Sequence, residues 1–306
     1  TPVEEPPRDI KTPHWLVIDD RNQGYALIAH QLANNRAVTA FVPYQRRDDL
    51  MRFFGRNPLL TIVCGDVTRD HAALAVAARN ATHLFFAPEF EPYTTWHDNI
   101  LAATSTCLTL TRRHRLALVY PGRTFPFDGH EADASCCIFI TPHTPYKSIS
   151  RQGGTLIEVE HRLRQHAQTT GLPVTIIRTG TPFGQRLEDT LTHTTFRDAE
   201  IKSHFLWLFR DNVPHQFCDT GSIARLADLV AHQPPATTFT VLPLSGYTFP
   251  AALDFGHAIA GIARNKPCNP WLISSWKLRL VSLAKPDARR GSDVRRSFEC
   301  SFLVDD

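Results

Sequence analysis

Through the first 180 residues, short apolar runs alternate with longer stretches whose apolar residues recur at helical spacing. No other feature constrains the fold as strongly. A strand-forming run that is apolar at nearly every position must be covered on both faces, and parallel strands joined by helices meet that demand. The runs HWLVID (14–19), AVTAFVP (37–43), LTIVCGD (60–66), THLFFAP (82–88), LALVYPG (116–122) and LPVTIIRTG (172–180) read as strands. Between them GYALIAHQLANN (24–35), DDLMRFFGR (48–56) and residues 69–80, 94–113 and 155–170 read as helices, the last beginning after the Gly153-Gly154 break. The expected fold is α/β, a Rossmann-type doubly wound parallel sheet with a smaller C-terminal lobe, and ligands belong at the carboxyl ends of its strands.

Beyond residue 181 the regularity weakens. TPFGQ (181–185) reads as a turn, HFLWLFRDN (204–212) as a short apolar segment and SIARLADLVAHQ (222–233) as a helix. FTVLPL (239–244) is expected to rejoin the main sheet, and 249–264 and 271–284 read as helices of the smaller lobe. The division expected is a flexible leader over 1–13, a Rossmann-type domain over 14–181 to which 218–245 returns, and a substrate-side lobe from 182–217 and 246–306.

Thirty-three basic and 30 acidic residues are mixed along the chain and leave a net charge of +3, so nucleic acid is not expected as a partner. No stretch approaches the ~20 apolar residues of a membrane span. The leader TPVEEPPRDIKTP lacks the apolar core of a signal peptide. The seven cysteines are odd in number and lack CxxC spacing, which predicts reduced thiols in a cytoplasmic protein. The 15 histidines form no metal-ligand pattern such as HExxH, and no metal is expected.

The segments CGDVTRDHAAL, LFFAP, YTTWHDNILAAT, LVYPGRTFPFDG, GLPVTIIRTGTPFG and VPHQFCDTGSIARLADLV occur in an order and spacing spread over residues 14–285. Together they resemble the short-chain dehydrogenase/reductase superfamily, in its extended or atypical NAD(P)-dependent epimerase/dehydratase and NmrA-like branch. The resemblance implies that Asp66, with Val67 after it, sits beside the adenine of a dinucleotide, and that Ala87 and Pro88 line the cofactor groove. A carboxylate at such a strand end can accept an adenine amino hydrogen.

The same resemblance implies glycines in a GxxGxxG turn after the first strand. Here the matching positions are Asp19, Asn22 and Gly24, so one glycine remains, with Gln23 beside it. Asn22 tolerates a left-handed turn, but Asp19 and Asp20 set like charge against a pyrophosphate. At ~4 Å and an effective dielectric near 20, each such pair is unfavourable by roughly 4 kcal/mol. Arg21 offsets part of this. After the second strand, Arg46 and Arg47 lean toward the 2′-phosphate of NADP over NAD if a cofactor binds; a solvated basic turn is the competing reading.

Catalytic members of that superfamily carry a YxxxK pair, one helical turn apart, in which lysine lowers the pKa of the tyrosine that exchanges a proton with substrate. The residues four places after the six tyrosines are Ala29, Asp48, His97, Thr124, Ser150 and Ala251, so the pair is missing. Aligned on TLIEVEHRL, the resemblance sets Gln152 and Leu156 at the tyrosine and lysine positions. The resemblance sets Thr124 near the position of a substrate-orienting serine, and Tyr146 with the adjacent Lys147 is a candidate substitute pair of different geometry, the favoured reading there being an exposed turn before the helix. His97 and His215 read as structural, and Asp219 as a stabiliser of the helix that follows it.

With the packing segments retained and two functional motifs altered, the favoured reading is a non-catalytic nucleotide or redox sensor, or a scaffold for a protein partner. The alternative is an active NAD(P)-dependent oxidoreductase or epimerase on a small carbonyl or hydroxyl substrate, with a rebuilt site.

Overall fold

A computed structural model describes residues 12–18, 23–90, 93–132, 137–184, 191–202, 204–207, 210–263, 268–272 and 300–305. In chain order its elements are β1 (Trp15–Ile18), α1 (Gln23–Ala33), β2 (Val38–Val42), α2 (Arg47–Phe54), β3 (Leu60–Cys64), α3 (His71–Ala77), β4 (His83–Phe86), α4 (Tyr93–His114) and β5 (Ala117–Gly122). Next come β6 (Cys137–Ile140), α5 (Arg151–Thr170), β7 (Val174–Thr179), β8 (Thr181–Phe183), α6 (Leu191–Ile201), β9 (His204–Trp207), β10 (His215–Asp219) and α7 (Thr220–His232). The described chain closes with β11 (Phe239–Leu244), β12 (Tyr247–Phe249), α8 (Ala252–Ala263), β13 (Asn269–Leu272) and β14 (Ser301–Val304).

Seven parallel strands form the central sheet in the order β11-β7-β5-β4-β1-β2-β3, a Rossmann-type doubly wound layout. The chain works outward from β1 to β3, then crosses back to β4 on the other side of β1. The reversal opens a crevice at the carboxyl ends of β1 and β4, where the Ala87 amide donates to the carbonyl of Ile18 at 2.9 Å.

Within the apolar runs the pleat sorts side chains between two cores. Leu16 and Ile18 join a cluster with Ile100, Cys107, Leu156 and Leu163 of α4 and α5, whereas Trp15 and Val17 join Leu27, Ile28, Ile223 and Ala227 of α1 and α7. Both faces of β1 are therefore dry, which is why its sequence shows no polar alternation. Among the described residues, no helix is long and apolar enough to cross a membrane.

Outside the central sheet several elements differ from their sequence reading. Residues 181–183 form a strand paired in parallel with β10 where a turn was expected, because the chain stays extended long enough to meet that strand. Residues 271 and 272 belong to β13, paired with β9, and not to a helix; the rest of 271–284 lies outside the described residues. β6 had no forecast and pairs with β14 from the far end of the chain. Gln216 of β10 fastens β14, its amide donating to the Val304 carbonyl at 3.2 Å and accepting the Val304 N–H at 3.0 Å. The lobe's core is aromatic, with Phe205, Trp207, Phe217 and Phe255 buried together.

Another difference lies at α5, which begins at Arg151 and contains the glycine pair expected to precede it. Ser150 caps the helix through the Gly153 amide at 3.0 Å, and Gly171, at φ 68°, ends it. Gly153 is needed because a Cβ there would collide with Ser148 Oγ and the Phe125 carbonyl oxygen, whereas one at Gly154 would meet nothing within 4 Å. Gly153→Ala should therefore destabilise the chain by about 1–3 kcal/mol. Gly154→Ala should stabilise it by up to ~1 kcal/mol through helix propensity. Urea midpoints of the two variants check this, and equal shifts of one sign would refute the packing account.

Candidate functional site

The crevice between β1 and β4 narrows to a cavity of about 40 Å³ lined by Gln23, Ala87, Pro88, Glu89, Trp96, Ile100, Tyr120, Pro121, Arg123, Gln152 and Leu156. Of the cofactor residues expected from sequence, Gln23, Ala87 and Pro88 meet here. Gln23 opens α1, is 3% exposed, and its Oε1 has no partner among the described residues. Gly24 is buried in the same turn. Asn22, like Asp19, Asp20 and Arg21, lies outside the described residues.

The remaining cofactor-side positions stand apart from the cavity. Asp66 is exposed in the loop after β3, where it accepts hydrogen bonds from the Thr68 amide at 2.8 Å and hydroxyl at 2.6 Å and lies 3.6 Å from Arg69. This is a self-satisfied turn with one face open to solvent. Val67 packs into the core beside it. Arg46 is held by Asp49 at 3.3 Å, which offsets the charge available to a 2′-phosphate. Arg47 next to it is exposed.

α5 lays Gln152 and Leu156 along one wall, 2% and 3% exposed. They are the two residues that the resemblance sets in place of tyrosine and lysine. Neither has a proton to exchange near neutral pH. Tyr120 in the floor is buried, and burial followed by the charge of Glu160 pushes its phenol well above the usual range. Glu89 bonds Arg123, Nη2 to Oε1 at 3.0 Å, and both are about one-fifth exposed.

Thr124, Tyr146 and Lys147 are not among the described residues that line the cavity. Thr124 is half-buried and its carbonyl starts a tight turn by accepting the Phe127 N–H. The Tyr146 hydroxyl donates to Glu160 Oε2 at 2.5 Å, and Glu160 makes a two-point pair with Arg178 at 2.7 and 2.5 Å. Burial, then Glu160, raises the phenol's pKa, so its hydroxyl stays protonated as the donor to Glu160. Lys147 points to the backbone frame through its amide, which donates to the Pro126 carbonyl, while the residue itself is exposed. These bonds tie Tyr146 and Lys147 to α5 and to the backbone at Pro126. Arg178 also donates through Nη1 to the carbonyl of Arg123 at 2.6 Å.

The other residues singled out from sequence have structural surroundings. His97 is buried against Thr155, Nδ1 to Oγ1 at 2.9 Å. His215 sits in the aromatic lobe beside Trp207 and Phe217, where burial lowers its pKa to about 3. Asp219 caps α7 by accepting the Ser222 amide at 2.9 Å. Sequence reasoning missed Glu89, Trp96 and Arg123. Only the unusual charges in PEF and PGRT marked the first and last, and their pairing spans 34 residues.

No protein-family model and no curated protein sequence matches this chain. Solved structures do. The Bordetella bronchiseptica enzyme WbmG, crystallised in complex with NAD, superposes with a TM-score of 0.69 at 16% identity, covering 98% of this chain and 86% of that one. The dTDP-glucose 4,6-dehydratase of Streptomyces venezuelae, also solved with NAD, gives 0.70 at 14%, covering 95% and 88%. UDP-glucuronic acid 4-epimerase of Bacillus cereus, again with NAD, gives 0.66 at 13%, covering 85% and 90%. At such identity the likeness is one of fold, and the chain is by fold a Rossmann-type α/β protein laid out like these NAD-complexed enzymes.

Proposed function

We propose that this chain is a non-catalytic relative of the NAD(P)-dependent extended short-chain dehydrogenases/reductases, working as a nucleotide or redox sensor. The observation that carries this reading is the wall of α5: Gln152 and Leu156 occupy the cavity where proton exchange would need an acid-base pair. The phenol in the cavity floor, Tyr120, and that of Tyr146 offer no ready replacement, since the pKa of each is raised. A cavity of about 40 Å³ also leaves the nicotinamide end little room without movement of Trp96, Gln152 or Leu156.

The adenine side keeps its frame in this reading, with Asp66 at the end of β3 and Ala87 and Pro88 at the end of β4. NADP is favoured over NAD through Arg47, since Arg46 is engaged by Asp49. An active NAD(P)-dependent oxidoreductase or epimerase is the second reading, supported by the fold shared with NAD-complexed enzymes over most of the chain.

Titrating the protein with NADPH and NADH while following nicotinamide fluorescence tests the proposal. Saturable binding, tighter for NADPH, with no hydride transfer to added carbonyl compounds is the expected result. Turnover above the buffer rate would overturn the non-catalytic assignment, and no binding up to millimolar concentrations would remove the dinucleotide.

A further inference from the structure

Gln23 and Trp96 both line this cavity, and Gln23 Oε1 and Trp96 Nε1 are buried with no hydrogen-bond partner among the described residues. Burying such groups unpaired is unfavourable, so water or a ligand belongs against them. The third group is Arg123, which spends one N–H on Glu89 and has no other side-chain partner among the described residues. Arg178 fixes the backbone of Arg123 from behind, so the guanidinium is presented from a braced loop.

We infer that this cavity is a carboxylate-binding site, in which Arg123 and the Trp96 indole N–H take the acidic head of a small ligand and Glu89 occupies Arg123 in the ligand's absence. Three features select a carboxylate. A guanidinium matches its planar oxygens in a two-point geometry, and Arg123 already holds one carboxylate, that of Glu89, through a single contact. The indole N–H adds a donor that cannot act as an acceptor. A water takes roughly 10–15 Å³ of such space, so a cavity of about 40 Å³ holds about three heavy atoms, the size of a carboxylate head. The Gln23 amide can turn either end toward the ligand. Ile100, Leu156 and Pro121 supply an apolar wall for a short carbon chain.

The inference deepens the reading of a non-catalytic sensor and rests on it. Its test is independent of any dinucleotide. The 15N-labelled full chain is titrated with sodium acetate and, separately, with inorganic phosphate at constant ionic strength, while the indole N–H signals of its five tryptophans are followed. Trp96→Phe identifies one of those signals by removing it. Acetate should shift the Trp96 signal saturably at about 1–10 mM. Arg123→Met should weaken binding at least tenfold, and Glu89→Gln, which removes the internal competitor, should tighten it about three- to tenfold.

An unmoved Trp96 signal up to 50-fold above that range, unchanged affinity in Arg123→Met, or preference for phosphate would each overturn the carboxylate site. If Arg123→Met does not fold, the affinity change in Glu89→Gln decides: no tightening refutes the competitor role. Failure of the NADPH titration with a positive acetate result would remove the dinucleotide and leave the carboxylate site standing, so the two readings fail separately.

Discussion

Arg178→Met should lower the folding free energy by about 3–5 kcal/mol, the cost of leaving a buried charge uncompensated. Arg178 and Glu160 are 3% and 1% exposed, so neither recovers solvation when its partner is lost. Glu160 ties α5 to β7 through Arg178 and to the loop before α5 through the Tyr146 hydroxyl. The Arg178 guanidinium also lies over the Phe127 ring, 5.0 Å from its centre, and bonds the carbonyl of Arg123. Removing it therefore disturbs packing as well as charge. The double variant Arg178→Met/Glu160→Leu should recover most of the loss, because an apolar pair of similar size carries no desolvation penalty. Urea unfolding of the two variants at pH 7 measures this, and a loss under 1 kcal/mol in the single variant would show that the pair carries no such weight.

Acidification should remove a comparable amount through two histidines. Burial first, then the nearby His232, lowers His83 from 6.5 to about 4 against the pull of Asp228, and burial alone lowers His215 from 6.5 to about 3. In both the folded-state pKa lies below the unfolded one, so between those values the unfolded chain binds more protons. Stability is complete above about pH 6.5 and falls as pH drops through the window. Each unit of pH costs about 1.4 kcal/mol per histidine, so at pH 4.5 the two together remove about 5 kcal/mol.

Asp228 adds to the loss at lower pH. Burial would raise its pKa, but hydrogen bonds from Gln31, Arg36 and His30 outweigh burial and hold it below 3.8. Its contribution is present above that value and lost as pH falls through the folded pKa. Urea midpoints at pH 8, 6 and 4.5 should fall steadily, and His215→Phe should flatten the slope by about half. A midpoint that stays constant from pH 8 to 4.5 would contradict the buried, neutral state of both rings.

Much of the central sheet was legible along the chain because its pattern is local. Six apolar runs separated by helix-spaced stretches describe β1, β2, β3, β4, β5 and β7 within a few residues at each end, and FTVLPL was placed as the seventh strand, β11. The smaller lobe was less legible. β8 has three residues, and β6 pairs with a strand more than 150 residues away, so nothing in the neighbouring sequence announces either partner. The start of α5 was misjudged because a glycine pair ordinarily ends a helix. Here the Ser150 cap and the tight contact at Gly153 favour helix instead.

The site divides in the same way. The absence of a YxxxK pair is a property of spacing, readable without coordinates, and so is the single glycine of the first turn. By itself the amino-acid sequence determined the alternating α/β architecture, the crevice at the strand ends and the absence of any YxxxK spacing, since periodicity and residue type act over one or two turns of chain. Tertiary structure alone decided that Tyr146 serves Glu160 and Arg178, that Arg123 meets Glu89, and that Gln23 and Trp96 share one small cavity. Those outcomes depend on side chains brought together across tens of residues, and their partners are chosen by which helix face and which strand end the packed core turns toward the crevice.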